Sequence, residues 1–258
     1  MDFCLAMGSK STYLLDMCQS KGMILFGYEA MNKKKLFYIA IYAIGMAYLE
    51  ATIVVYLRGL YGIADLMTSV PAFDPQVSII ELGRELATLI MLLAVGLASG
   101  KRLQSQIGFA LYAFGLWDIW YYIWLVVFIG FPHSLFDWDL LFLIPLPWWG
   151  PVIAPVMISV LMIIGGARLA LLEERGFLVR PKWPDWAMLA TGACTMLYAF
   201  MSNAIASLPS SVESLNDLRP SSFLWSIFLV GYGIATYAIW RILYKSLDEP
   251  AMHRSGRN

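Results

Sequence analysis

The chain alternates long apolar segments with short polar connections. Six apolar runs reach the length that an α-helix needs to cross a bilayer, about 20 residues. They predict helices at residues 36–57, 78–99, 107–130, 152–172, 186–207 and 223–243. No internal repeat of the kind found in many transporters relates one half of the chain to the other. The pattern therefore predicts an all-α polytopic membrane protein with six transmembrane helices in one bundle.

The composition agrees with this class. The 258 residues are 60% hydrophobic and 14% charged, whereas soluble domains carry about 25% charged residues. The net charge is zero, so no bulk attraction to nucleic acid is expected. The expected partner is the lipid bilayer, and other membrane subunits are a second expected partner. The three cysteines, Cys4, Cys18 and Cys194, have no metal-binding spacing. The chain has only two histidines, His133 and His253, so it offers almost no candidate ligands for a haem bound by two histidines.

Basic residues alternate between the connections. Four of the polar segments hold most of the lysines and arginines, whereas the other three hold only Arg58 and Arg219. The first group is Lys33, Lys34, Lys35, Lys101, Arg102, Arg168, Arg175, Arg180, Lys182, Arg241, Lys245, Arg254 and Arg257. Because cytoplasmic connections are enriched in lysine and arginine, we expect both termini in the cytoplasm. The expected location is a prokaryotic plasma membrane.

Three regions follow from this topology. Residues 1–30 are expected to form an N-terminal cytoplasmic tail, residues 31–245 the transmembrane domain and residues 246–258 a C-terminal cytoplasmic tail. The first region lacks the basic start and small-residue cleavage site of a signal peptide. Met31, Asn32 and three lysines precede the first span, as at the start of many membrane proteins. Translation from Met31 is therefore one interpretation, and a short amphipathic tail is the other.

Charged residues interrupt the first three spans. Glu50 lies in the first, Arg84 and Glu85 in the second, and Asp118 in the third. A charge at bilayer depth costs at least about 2.5–3.5 kcal/mol on insertion scales, so it usually marks a functional site or a buried pair. The rise of 1.5 Å per residue puts these groups at a common level, in the outer half of the bilayer.

Helical spacing also predicts which way these groups face. Glu81 shares a stripe of the second span with Arg84 and Glu85, because residues three and four apart lie on one face. Carboxylates outnumber this arginine, so either some are protonated or a cation enters. Nearer the surface, Glu81 and Arg58 are expected to pair. The predicted buried polar site comprises Glu50, Glu81, Arg84, Glu85, Asp118, Tyr121 and Tyr122.

The connection at residues 131–151 is unusual. Its apolar part is too short to span a bilayer and is broken by prolines, so it is expected to lie at the interface or to re-enter the bundle between helices 3 and 4. Alternatively, it is an aromatic anchor at the level of the lipid headgroups. The predicted outer rim and lid of the polar site comprise Arg58, His133, Asp137, Trp138 and Asp139.

These features leave three functional hypotheses. The leading one is a buried carboxylate and arginine site that handles protons or a cation, in a small transporter or a proton-conducting subunit. The second is a membrane-embedded enzyme with a carboxylate-bound metal, but the Glu-x-x-His pairs of di-iron bundles are absent and no metal ligands are assigned. The third is a non-catalytic anchor or assembly subunit of a redox complex with structural ion pairs. The sequence assigns neither catalytic residues nor a cofactor.

Overall fold

The computed structural model describes residues 5–62, 75–142, 146–206 and 222–248. Within these residues the chain forms six helices and one small sheet. The helices are α1 (Leu5–Tyr61), α2 (Pro75–Ser99), α3 (Leu103–Ile129), α4 (Ile153–Glu174), α5 (Trp183–Ala206) and α6 (Trp225–Asp248). The strands are β1 (Trp138–Leu140) and β2 (Trp149–Pro151). The six predicted helices are present in the described residues, but α1 begins at Leu5 rather than near residue 36, and the sheet was not predicted.

Five of the helices contain segments that are long and apolar enough to cross a membrane. These segments are Lys33–Tyr61, Leu103–Ile129, Ile153–Glu173, Trp183–Ala206 and Trp225–Tyr244. Helix α2, which carries Glu81, Arg84 and Glu85, is not among them. Five helices are thus consistent with a membrane protein. The sixth helix in the described part of the chain, α2, carries the charged stripe.

The chain divides into two compact units, Met1–Tyr38 and Ile39–Asn258. In the first unit the described structure is the N-terminal part of α1, which includes most of the segment that the sequence predicts as a tail. The second unit contains the rest of α1, helices α2 to α6 and the sheet. All contacts discussed below lie within this second unit.

Small residues bring the helices of the second unit together. A Cβ atom at Gly166 of α4 would lie 2.5 Å from the carbonyl oxygen of Gly108 in α3. A Cβ atom at Gly192 of α5 would lie 2.8 Å from the carbonyl oxygen of Gly231 in α6. In membrane proteins small residues favour such close backbone approach, because packing rather than water exclusion holds the helices together. The pairs α3–α4 and α5–α6 are built in this way.

Polar contacts join the same helix pairs near their ends. The Glu173 carboxylate at the end of α4 accepts hydrogen bonds from the Ser105 backbone N–H at 2.8 Å and from the Ser105 hydroxyl at 3.0 Å. At the start of α5, Asp185 forms an ion pair with Arg241 of α6, with 3.1 Å between Nε and Oδ1. These ends are therefore held by specific contacts as well as by packing.

The sheet lies between α3 and α4 in the chain. Strands β1 and β2 are antiparallel, and Asp139 is opposite Gly150. A Cβ atom at Gly150 would lie 2.7 Å from the Phe200 ring of α5, so glycine lets the hairpin approach that helix closely. Phe200 packs in turn with Phe223 and Phe228 in an apolar cluster. The hairpin is thereby held against the bundle, with buried Asp139 on it.

Candidate functional site

A cavity of about 470 Å³ lies in the second unit, lined by residues of helices α1 to α5 and of the hairpin. Its lining combines ionisable groups with apolar and aromatic side chains. The polar members are Glu50, Arg58, Tyr61, Glu81, Arg84, Glu85, Asp118, Tyr121, Tyr122, Asp139 and Ser159. They come from the last turns of α1, the first half of α2, the second half of α3, the hairpin and the first half of α4.

Arg84 is at the centre of one group of contacts. Its guanidinium forms an ion pair with Glu50 of α1 and a second with Glu81, at 2.7 Å between Nε and Oε2. The Thr88 hydroxyl, one turn further along α2, donates a hydrogen bond of 3.2 Å to Glu50. The charged stripe of α2 therefore faces α1 and satisfies the carboxylate buried there.

Arg58 and Asp139 form a second group. Arg58 Nη2 is 3.3 Å from Asp139 Oδ1, both side chains are buried, and the guanidinium carbon lies 4.3 Å from the centroid of the Phe131 ring. Burial raises the pKa of Asp139 to about 6, although Arg58 and hydrogen bonds from the Leu140 N–H and the Tyr122 hydroxyl oppose that rise. This contact ties the end of α1 to the hairpin.

Asp118 forms a third group with Ser159 of α4. The Ser159 hydroxyl donates a hydrogen bond of 2.7 Å to Asp118 Oδ2, and both residues are buried. Gly115, one turn earlier on α3, allows the approach, because a Cβ atom there would lie 2.5 Å from the Ser159 carbonyl oxygen. Within the described part of the chain, Asp118 has no basic partner. This carboxylate is therefore held by a neutral group alone.

Aromatic rings line the apolar part of the cavity. Trp117 stacks with Tyr121 at 6.3 Å between centroids and contacts Phe142 at 6.5 Å. Trp148 follows at 5.3 Å from Phe142 and stacks on Phe200 at 6.2 Å. Among the described residues, the buried indole nitrogens of Trp117 and Trp148 have no hydrogen-bond partner. We call these five residues the aromatic wall.

The structure brings all seven residues of the predicted polar site to this one cavity. The predicted pairing of Glu81 with Arg58 is wrong. Glu81 forms an ion pair with Arg84 instead, and Arg58 forms one with Asp139. The physical reason is proximity: Glu81 lies one helical turn from Arg84 on the same face of α2.

The predicted rim and lid divide in two. Arg58 and Asp139 line the cavity, whereas His133, Asp137 and Trp138 are not among its lining residues. The His133 side chain is 84% exposed and lies 3.6 Å from the Asp137 carboxylate. Trp138 packs instead against the apolar cluster at α6. These three residues therefore belong to the surface of the loop and to its packing rather than to the site.

Several lining residues were not found from the sequence. Ser159 stands out only as a polar residue in an apolar helix, and such a residue usually bonds within its own helix. Phe142, Trp148 and Phe200 come from separate segments, and single aromatic residues are common in any membrane protein. The third contact group and the aromatic wall thus depend on how α3, α4, α5 and the hairpin meet.

Comparisons and metal-binding geometry add two findings. No set of three or more histidine, cysteine, aspartate or glutamate side chains in the described ranges is arranged to hold a metal ion. No protein-family model, curated protein or solved structure matches this chain.

Proposed function

We propose that this chain is an integral membrane protein that binds a proton or a cation in its acidic cavity, as a small transporter or a proton-conducting subunit. The observation that carries the proposal is Asp118, a buried carboxylate whose described partner is a neutral hydroxyl. A charge in a low-dielectric site is costly without a counter-charge, so such a group either takes up a proton or holds a cation.

The balance of charge supports this proposal. Among the residues that line the cavity there are five carboxylates and two guanidinium groups. Arg84 is shared by Glu50 and Glu81, and Arg58 is engaged by Asp139. The acids therefore exceed the fixed positive charges, and the site favours positively charged occupants.

The proposed topology has six spans, with both termini in the cytoplasm of a prokaryotic cell. Helix α2 is the sixth span, because its 25 residues reach about 37 Å at 1.5 Å per residue. Its charged stripe contacts α1 and the cavity rather than lipid. The distribution of lysine and arginine supports the orientation. In this topology the cavity lies in the outer half of the bilayer, and the hairpin loop lies at or re-enters the outer interface.

A second candidate function is an anchor or assembly subunit in which the ion pairs are structural. The contacts of Arg84 with Glu50 and Glu81 favour it, because they lock α1 to α2. Under this alternative, Glu50→Gln and Glu81→Gln should destabilise the protein as much as Arg84→Leu does, because each removes one side of an ion pair. Under our proposal, Asp118→Asn stays folded, because it keeps the shape of the side chain and removes a costly charge. It also lowers the ion flux, which the alternative does not predict.

The proposal is tested by ion flux in liposomes. The purified protein is reconstituted with a pH-sensitive dye inside, and pH, Na⁺ and K⁺ gradients are imposed in turn. We expect flux above protein-free liposomes, and we expect Asp118→Asn to lower it at least tenfold with an unchanged melting temperature. Asp137→Asn is the matched control, because Asp137 does not line the cavity. Flux that is absent, or equal in Asp118→Asn and the unaltered chain, would overturn the proposal.

A further inference from the structure

We infer that the cation is organic: an ammonium compound with an aromatic body, bound with its charge at Asp118 and its body against the aromatic wall. This inference rests on the proposed function, because it names the class of cation for the same cavity. Two features of the site carry it: the size of the cavity, and the aromatic rings beside Asp118, a carboxylate that has no basic partner among the described residues.

Size separates an organic ligand from a bare ion. The cavity of about 470 Å³ falls within the range of about 300–1,000 Å³ that drug-sized ligands occupy. A water molecule takes about 30 Å³ in the liquid, and a proton or a small metal ion needs only a few such volumes. A bare ion at Asp118 would therefore leave most of the cavity as water against apolar side chains. An organic body fills that space.

The aromatic wall begins beside Asp118, which has no basic partner among the described residues. Trp117 precedes Asp118 in the chain, and Tyr121 lies three residues after it. Aromatic faces attract cations within about 6 Å of the ring centroid, by about 0.5–2 kcal/mol, and organic ammonium groups are recognised in this way. A carboxylate next to stacked rings thus provides both the charge and the surface that an aromatic ammonium compound requires.

Other ligand classes fit the same residues less well. An anion would need a guanidinium group, but Arg84 and Arg58 already form ion pairs with carboxylates. A neutral apolar molecule would fill the aromatic part and leave Asp118 without a counter-charge. The comparison of a charged ligand with its neutral analogue is therefore the decisive measurement.

The probes are 5-methoxytryptamine, which is a cation at neutral pH, and 5-methoxytryptophol, in which a hydroxyl replaces the ammonium group. Binding is measured by equilibrium dialysis against the purified chain in phosphatidylcholine nanodiscs, with empty nanodiscs as the blank. We expect saturable 1:1 binding of the amine and at least tenfold weaker binding of the alcohol. Equal binding of the two probes, or no saturable binding of the amine, overturns the inference. This comparison uses the unaltered chain, so it stays decisive if a variant fails to fold.

Two variants assign the contacts. Asp118→Asn should weaken binding of the amine at least tenfold and leave binding of the alcohol unchanged, whereas the control Asp137→Asn should change neither. Trp117→Ala should weaken both probes by a similar factor of at least three, since it removes an aromatic ring of the cavity lining that both would contact. Preference for the amine that persists in Asp118→Asn overturns the inference.

The flux assay separates this inference from the function on which it rests. Asp118-dependent flux of protons, Na⁺ or K⁺ without amine binding overturns the organic class and leaves the proposed function standing. Asp118-dependent binding of the amine without such flux supports the inference and contradicts the proton-conducting form of the proposed function.

Discussion

At the scale of single residues, Arg84 and Asp118 show two different ways in which this protein buries a charged side chain. Arg84 is partly buried between two carboxylates from α1 and α2, so its charge is balanced within the protein. Asp118 is buried on α3 beside a serine hydroxyl, so no basic group among the described residues balances its charge. Substitutions at these two positions should therefore have opposite consequences for folding and for function.

Arg84→Leu should destabilise the protein. It leaves Glu50 and Glu81 without their counter-charge, and breaking a buried pair costs about 3–5 kcal/mol in soluble proteins. Arg84→Lys is the matched control, because it keeps the charge while losing the two-sided geometry of the guanidinium. We expect a clear fall in the melting temperature in detergent for Arg84→Leu and a smaller one for Arg84→Lys. A melting temperature unchanged by Arg84→Leu would show that the ion pairs contribute nothing to folding.

At this scale, the sequence predicts which face of a helix a side chain lies on better than it predicts which residue that side chain contacts. The spacing of Glu81, Arg84 and Glu85 puts them on one side of a helix whatever its neighbours are. The partners of Asp118 and Arg58 lie 41 and 81 residues away in the chain. Helical periodicity describes rotation about one axis, and it does not say which other helix or strand packs there. Those partners therefore emerge only from the packed structure.

At the scale of elements, the bounds of α2 to α6 were predicted to within five residues. The hairpin was missed, and α1 begins at Leu5, about 30 residues before the predicted start. The third apolar run predicted residues 107–130, and the helix is Leu103–Ile129, ended by Gly130 in the left-handed conformation with φ 70°. Strand β1 has only three residues, with Asp139 in the middle. A segment that short shows no usable alternation of apolar and polar positions. What defines it is pairing with β2 and contact with α5.

Close packing of α5 on α6 provides a test at this scale. A Cβ atom at Gly231 would lie 2.9 Å from the Gly192 carbonyl oxygen and 3.0 Å from the Met196 backbone nitrogen, whereas one at Gly233 would meet nothing within 4 Å. Gly231→Ala should therefore push the helices apart and lower the melting temperature by several degrees. Gly233→Ala should leave it unchanged or raise it slightly, because alanine favours helix more than glycine does. Equal effects of the two substitutions would contradict this packing.

At the scale of the whole molecule, the cavity lies at corresponding ends of helices that run in alternating directions. Its lining residues come from the end of α1, the start of α2, the second half of α3, the start of α4 and the second half of α5. Successive helices that cross a membrane must alternate in this way. The same ends are joined by the connections poorest in lysine and arginine. Helix direction puts the lining residues on one side of the membrane, and the distribution of lysine and arginine is the basis for our proposal that this is the outer side.

Cysteine labelling on intact cells tests that orientation. Leu135 is 51% exposed in the α3–α4 connection, and Lys182 is exposed in the α4–α5 connection. In a chain whose Cys4, Cys18 and Cys194 are replaced by serine, Leu135→Cys should react with a membrane-impermeant maleimide and Lys182→Cys should not. Lysis of the cells should make Lys182→Cys reactive, which is the control for its accessibility. The reverse pattern would put the cavity on the cytoplasmic side, and equal labelling of both positions on intact cells would mean that α4 does not cross the membrane.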